Sequence, residues 1–490
     1  MHRELKNLRA IGAFSTSNGQ EQVGELLLDG SNSRLELFSD SVLEAQDNQD
    51  VVGVLNDGRK VSLIDCISLG STQRLIEPGK AKYIFRFFPH YAIFGATYLQ
   101  SSDEVIRSVR FSVRDVHSIF HDFEVCDVVL DNKAVLDAIS KNEQKRSGKE
   151  IKFGEHASVY YFKGELEIVS VELSIGTLSV WHQPITNYPS PTGMKIDNRI
   201  ILTIGFTEPC TFDHAMRCVG RLERFLELVA GRYQCVDSVA INLAKADARP
   251  EILDVYCSMD RAEMGGADPF WMDVLIRGVE CKDEFCSVLK HWLDRDRDWN
   301  AARSRFSNSF VQHNTYGIDR LVSSANMFDL LPKSGVPKKV ELDNIWREAK
   351  NQAIEIFRPL PKGLERDSIL NALGRLGQHS LKQKIRHRGT IVTNVIQDKL
   401  PDLELVIDQA VNCRNHYVHG TEVGIDYEEC VDLVSFFTNT LEFVFAVSDL
   451  VENGWDIRSW VDRSGLRSHP FGQFLSDYEN GLKRLKETLI

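Results

Sequence analysis

The feature that most constrains the fold is a change in the spacing of apolar residues near residue 210. Up to about residue 209, short apolar runs alternate with polar residues or stop at Asp-Gly pairs such as Asp29-Gly30 and Asp57-Gly58. Alternation with a period of two indicates half-buried strands. Asp-Gly between apolar runs indicates a hairpin, because glycine supplies the positive φ of a tight turn. This part of the chain is predicted to form a β-sandwich or a strongly curved sheet.

Beyond residue 210 the apolar residues recur at helical spacing. A first helix is predicted from Thr211 to Gly231, and further helices from Ile318 to Leu331, from Leu342 to Phe357 and from Glu428 to Glu452. The last of these is apolar nearly all round, which is typical of a buried central helix.

The predicted fold class is therefore α+β, in two parts. Residues 1–300 form the first part, which is β-rich to about residue 209 and then helical, and residues 301–490 form an all-α helical bundle. The boundary falls within 246–310, where the signals are mixed and no clean linker is present.

Composition limits the partners and the compartment. The 490 residues include 58 Lys and Arg against 70 Asp and Glu, a net charge of -12, so any contact with phosphate must come from a local basic patch. The 10 cysteines form no C-x-x-C pair, which is typical of a reduced, intracellular protein. The start lacks the apolar core of a signal peptide, and polar residues interrupt the apolar stretch 434–451. We expect a cytoplasmic protein with no membrane span.

The most informative motif lies just before Gly420, where Arg414, Asn415 and His419 cluster at the end of an amphipathic helix. Asn415 and His419 share a face, whereas Arg414 and His419 are about 140° apart on an ideal helix. Arg414 and His419 can meet only because the arginine side chain is long, or if the last turn of the helix unwinds. Histidine can transfer protons near neutral pH, and a guanidinium binds phosphate. From the spacing alone, a capping histidine and a surface arginine remain the alternative.

The hexad from Arg414 to His419 resembles the R-x4–6-H motif of HEPN-domain ribonucleases, in which the residue after the arginine is commonly polar, as Asn415 is. Other segments are similar to the ApeA-like branch of that superfamily. They are 319–331 and 471–475 in the helical half, and 24–26, 61–63 and 116–120 in the β-rich half, which resembles the ApeA N-terminal domain.

This resemblance implies an endoribonuclease of bacterial anti-phage defence that cleaves cellular RNA, with tRNA as one candidate substrate, to cause abortive infection. It implies a homodimer through the HEPN domains, with one composite site and neither a metal nor another cofactor. His419 would be the general acid and base, Arg414 would neutralise the phosphate, and Asn415 would hold either group. The β-rich region would sense a trigger such as a phage protein.

A second feature favours a polyanion. No acidic residue lies between Asp367 and Asp398. The basic residues of this window are predicted to contact RNA; they are Arg375, Lys382, Lys384, Arg386 and Arg388. The alternative is a solvated helix face whose charges pair with acids elsewhere.

Two other interpretations stay open, and one motif is set aside. A catalytically silent HEPN scaffold, in which Arg414 and His419 only stabilise a dimer, is the alternative to a nuclease. A further alternative is a ligand-binding regulator, in which the β-rich half recognises the ligand and the helical half only transmits the binding event. His117 and His121 have a metal-ligand spacing, but neither H-E-x-x-H nor a third ligand is recognisable, so structural histidines are favoured.

Overall fold

The computed structural model divides into two compact units, Met1–Leu226 with Gln234–Cys286, and Glu227–Tyr233 with Ser287–Ile490. Residue 300 lies inside the second unit. The division into a regulatory region, 1–300, and a HEPN-like helical domain, 301–490, stays a prediction. The structure describes residues 5–489 except 6, 17–18, 44–46, 78–79, 188–192, 194, 245–250, 260–267, 313–314, 339–341, 421–424, 426, 428–429 and 464–467.

The first unit is built mainly from antiparallel strands. In chain order they are β1 Leu8–Ser15, β2 Glu21–Leu28, β3 Arg34–Ser39, β4 Gln49–Leu55, β5 Lys60–Glu77, β6 Lys80–Gly95, β7 Ile106–Val113, β8 Cys126–Val128, β9 Tyr160–Phe162, β10 Glu167–Leu173, β11 Gly176–Thr186, β12 Ile196–Cys210, β13 Val236–Leu243 and β14 Glu251–Cys257.

The first six strands close into a barrel. They pair in the order β6-β3-β2-β1-β4-β5, and β5 pairs back onto β6. Apolar residues from alternate positions fill the interior, and Phe14 lies fully buried among them. Gly53 permits this packing, because a Cβ at that position would lie 2.4 Å from Cδ1 of Phe14. Gly58 adopts a φ of +85° in the predicted hairpin turn between β4 and β5.

The sheet continues beyond the barrel through β6. From there it runs β14-β13-β7-β12-β11-β10, while β8 and β9 form a separate two-stranded ribbon. The predicted β-rich N-terminal region with a strongly curved sheet is confirmed. So is the two-part α+β fold class, because the described residues from 318 to 488 form helices without strands.

The helices complete both units. They are α1 Val116–Ile119, α2 Lys133–Ser147, α3 Phe212–Ala230, α4 Lys282–Asp294, α5 Asp296–Phe310, α6 Ile318–Asn326, α7 Asn344–Phe357, α8 Leu364–Arg375, α9 Leu381–Ile396, α10 Leu403–His419, α11 Val431–Glu452, α12 Ile457–Val461 and α13 Pro470–Thr488.

Helix α11 is the centre of the helical unit, and α5, α6, α9, α10 and α13 pack against it. It is the one helix in the described ranges long and apolar enough to cross a membrane, and 78% of its most apolar window is buried. Two acids on this helix are buried and paired: Glu442 binds Arg320 at 2.8 Å, and Asp449 binds Arg303 at 2.8 Å. Burial of this kind identifies a core helix.

The helix ends differ slightly from the prediction. The helix predicted to reach Leu331 leaves the α conformation after Asn326 and continues as a 3-10 turn, Met327–Leu330. Pro332 disfavours the α conformation at Leu331, where the backbone becomes extended. Helix α11 begins at Val431, and residues 428–429 of the predicted helix lie outside the described residues.

Candidate active site

The Arg414 motif occupies the end of helix α10, as predicted. The buried face of α10 carries residues such as Val406, Ala410 and Cys413, and the helix remains α-helical as far as His419. Gly420 ends it with a φ of +65°, and its N–H donates to the carbonyl of His416 at 2.8 Å. The motif therefore lies outside the apolar stripe, at an end that glycine terminates.

Arg414 and His419 meet because the arginine side chain is long, and the helix does not unwind. Nη1 of Arg414 lies 3.2 Å from Nε2 of His419 and donates to Oδ1 of Asn415 at 3.0 Å. Arginine has no acceptor, so the proton of the first contact belongs to Nη1 and the lone pair to Nε2. A hydrogen bond at this contact therefore requires the ring proton of His419 to be on Nδ1.

Asn326 holds the other side of the guanidinium. Its Oδ1 accepts from Nη2 of Arg414 at 2.9 Å, across 88 positions of sequence. Asn326 is the last residue of α6, and α6 is tied to the core by the buried pair of Arg320 with Glu442. Sequence reasoning missed this residue, because a single asparagine at a helix end carries no motif.

A cluster of aromatic rings lies at the last turn of α10. The ring of His416 lies 5.3 Å from Tyr417 and 5.6 Å from Tyr427. Tyr427 is fully buried, and burial raises the pKa of its hydroxyl well above the ordinary value. These rings fix the helix end, while His419 is exposed to solvent.

Comparison with known families matches both halves of the chain. The family model of ApeA N-terminal domain 1 matches residues 9–292, and the model of Apea-like HEPN matches residues 322–458, which include the motif. The chain belongs to the ApeA-like HEPN family. Neither the curated proteins nor the solved structures contain a match.

Within the HEPN domain, the predicted RNA-binding window is largely paired with acids. Lys384 binds Asp329 at 2.9 Å. Lys382 lies 3.9 Å from Asp408. Arg386 binds Glu404 at 2.8 Å and also Asp408, and the hydrogen bond with Asp408 raises the pKa of Arg386. These three cations line α9 and face acids of α10 and of the turn after α6.

The prediction that Arg388 contacts RNA is corrected by its position in the structure. Its side chain is fully buried, where Nη1 binds Glu452 at 2.8 Å and Nε donates to Ser448 at 2.8 Å. The guanidinium also lies 5.0 Å from the ring of Trp299. Burial lowers the pKa of Arg388, and Glu452 opposes that shift. A side chain in this position stabilises the helical core and presents no surface to RNA.

Arg375 completes the predicted RNA-binding set, and His117 and His121 are the two histidines predicted to be structural. Arg375 is exposed at the end of α8. His121 stacks on Trp271 with ring centroids 4.8 Å apart, and burial lowers the pKa of both His117 and His121. Among the described residues, no group of three or more His, Cys, Asp or Glu side chains is placed to hold a metal ion.

Proposed function

We propose that this chain is a metal-independent endoribonuclease of anti-phage defence, with Arg414, Asn415 and His419 as its active-site residues. The observation that carries the proposal is the 3.2 Å contact between Arg414 and His419 at an accessible helix end of the HEPN domain. Incubation of the purified full-length protein with total RNA or tRNA tests it, and we expect cleavage. Intact RNA under every condition that leaves the protein folded would contradict it.

The proposed chemistry is an attack of the ribose 2′-OH on the adjacent phosphorus. The nucleophile is already held close to its target, so the protein has to move protons and neutralise charge. His419 takes the proton of the 2′-OH, the bond to the 5′-oxygen breaks, and that oxygen must receive a proton. A 2′,3′-cyclic phosphate and a 5′-hydroxyl result.

The contact between Arg414 and His419 has to open before His419 can act as a base. Nε2 of His419, the atom with the lone pair, accepts from Arg414 in the free protein. A phosphate bound to the guanidinium competes for the same N–H, because a charge-assisted hydrogen bond to phosphate is stronger than one to a neutral imidazole. Binding of the phosphate therefore releases Nε2 to act as the base.

Asn326 is proposed as a positioning residue, and its replacement is the first prediction. Asn326→Ala removes one anchor of Arg414, and loss of a hydrogen bond to a charged group should lower kcat about tenfold to hundredfold. The KM should change little, and Asn326→Asp, which keeps the acceptor, should retain more activity than alanine. Steady-state cleavage kinetics measure this split.

The matched control for Asn326 is Asn308→Ala, because Asn308 is exposed on α5. Its kcat should equal that of the wild type. A kcat for Asn326→Ala within about twofold of the wild-type value would remove Asn326 from the site, since even one ordinary hydrogen bond is worth more than that.

A homodimer is the proposed assembly, because one histidine cannot act as base and acid on opposite sides of a phosphorus. A two-fold interface brings the same residues together across its axis and so supplies the second His419. The proposed enzyme acts in the cytoplasm, where its RNA substrates are. The β-rich unit restrains it until a trigger such as a phage protein binds.

Mixing subunits tests the composite site. Wild-type protein is unfolded and refolded, or co-expressed, with excess His419→Ala subunits, and RNA cleavage is then measured. At a roughly threefold excess of mutant, random pairing leaves about 6% of dimers fully wild type, whereas dilution alone leaves about 25% of the activity. We expect the lower value. A loss proportional to dilution, or a monomer that still cleaves RNA, would contradict the composite site.

One observation favours a second candidate function, a catalytically silent HEPN scaffold. The α9 cations Lys382, Lys384 and Arg386 are engaged by acids of the same chain, which weakens the case for a phosphate track along this helix. A scaffold would bind a partner through the β-rich unit and leave RNA intact.

A further inference from the structure

One segment of the β-rich unit lies at its surface. Residues 121–167, which include α2 and the ribbon of β8 and β9, contain no buried residue. Large apolar side chains of this segment face solvent: Leu130 is 93% exposed, Tyr160 is 73% exposed and Phe123 is 60% exposed. Tyr160 pairs with Val128 across the ribbon, two residues from Leu130, and exposed apolar residues that adjoin one another are typical of a protein-binding surface.

Aromatic rings concentrate at one end of this segment. Phe123 packs edge-on against Trp271 with centroids 4.6 Å apart, and His121 contacts both rings, at 4.2 Å from Phe123 and 4.8 Å from Trp271. Phe270, 46% exposed, lies beside Trp271 with centroids 5.8 Å apart. Aromatic residues are enriched in protein interfaces relative to the rest of the surface.

A cavity of about 400 Å³ opens beside these rings, and Phe123 forms part of its wall. Its lining carries more carboxylates than cations, since Lys163 and Lys282 are its lysines. The carboxylates are Asp122, Glu124, Glu165, Glu167 and Glu280. The cavity is therefore negative at neutral pH and complementary to a cationic group.

The back of the cavity is fixed by a buried histidine. His182, whose side chain is 3% exposed, accepts from Nδ2 of Asn198 at 2.9 Å through Nδ1. Its Nε2 then carries the proton and lies 3.5 Å from Oδ2 of Asp122. Asp122 is thus held in place in a wall that the fold has already ordered, which lowers the entropic cost of binding.

The mouth of the cavity already holds an ammonium group. Nζ of Lys163 lies 3.3 Å from Glu124 and 3.1 Å from Glu165. Both side chains are at least three quarters exposed, Glu124 at 79% and Glu165 at 75%. Exposed ion pairs contribute little to stability, so an incoming cation can exchange with Lys163 at low cost.

We propose that this surface, Phe123 with the adjoining carboxylate cavity, is the docking site for a polypeptide that presents a lysine or arginine between apolar side chains. The cation enters the cavity, and the apolar neighbours cover Phe123 and the exposed residues beside it. An RNA would meet repulsion from the carboxylates, and an acidic peptide would meet the same repulsion. The site lies wholly within the first unit and does not depend on RNA cleavage.

Selection of peptides tests the proposal directly. A library of random short peptides is panned on the full-length protein, and the selected peptides are measured by fluorescence anisotropy. We expect sequences with Lys or Arg flanked by apolar residues. Binding should weaken at least about tenfold in Phe123→Ala and in the double variant Glu124→Lys, Glu165→Lys, since both remove central contacts of an interface.

The matched control is the double variant Glu150→Lys, Glu155→Lys, which makes the same charge change at two exposed positions outside the cavity lining and should leave binding unchanged. Glu165→Gln covers the case in which the double variant of the cavity misfolds, and it should bind more weakly than the wild type. Three results would overturn the proposal: no peptide is selected, the selected peptides lack basic residues, or the cavity variants bind like the control. A changed molar mass of Phe123→Ala by light scattering would identify a second copy as the occupant instead.

Discussion

Replacement of His419 or Arg414 by alanine is expected to abolish RNA cleavage while leaving the fold intact. Loss of a positioned acid or base typically lowers the rate by about 10² to 10⁴. Loss of the guanidinium removes the group that neutralises the phosphate, with an effect of about 10² to 10³. Both side chains lie at the end of α10, outside its buried face. Cleavage rates and thermal unfolding of the purified variants measure the two effects separately.

The controls for this pair are exposed residues of the same kinds. Arg305→Ala changes an exposed arginine of α5, and His156→Ala changes an exposed histidine of the β-rich unit. Both should cleave RNA at the wild-type rate. If both motif variants cleave at the wild-type rate, the assignment of the site is wrong. If both lose much of their stability, the motif is structural and the scaffold interpretation is favoured.

Arg320→Ala is expected to lower the free energy of unfolding by about 3 to 5 kcal/mol, because it leaves the carboxylate of Glu442 buried without its cation. Arg320 is 4% exposed, and Glu442 also accepts from Ser309 at 2.6 Å and from Ser324 at 3.0 Å. Arg320 lies on α6, which ends at Asn326. RNA cleavage should therefore fall together with stability.

Urea unfolding of the purified variants measures this effect. The double variant Arg320→Met, Glu442→Leu removes both charges and should recover most of the lost stability, since a hydrophobic pair of similar volume is often as stable as a buried ion pair. Ser309 and Ser324 keep a partner there, because their hydroxyls lie 2.9 Å apart. A single Arg320→Ala variant as stable as the wild type would contradict the role of this pair.

Much of the fold follows from local patterns in the sequence, and the rest depends on distant contacts. The period of two and the Asp-Gly turns predict the strands, and the helical spacing predicts α3 and α11. Closure of the barrel depends on β5 pairing back onto β6. No local pattern indicates that contact, because it depends on how the whole sheet curves.

The site shows the same division. The position of the motif follows from the hexad and from Gly420, which ends the helix. The contact of Asn326 with Arg414 does not, since it joins two helices across 88 positions. The acids that pair with Lys384 and Arg386 come from outside the window 367–398, so its basic composition overstated the free positive charge. Arg388 looked like its neighbours in sequence, yet the helical packing buries it.

The most direct test of the central claim is the chemistry of the cut ends. Purified wild-type protein is incubated with an end-labelled RNA in the presence of EDTA, and the products are mapped. Transesterification at Arg414 and His419 predicts undiminished cleavage, with a 2′,3′-cyclic phosphate or its opened product on one fragment and a 5′-hydroxyl on the other. A strict requirement for Mg²⁺ with 5′-phosphate products would contradict the account.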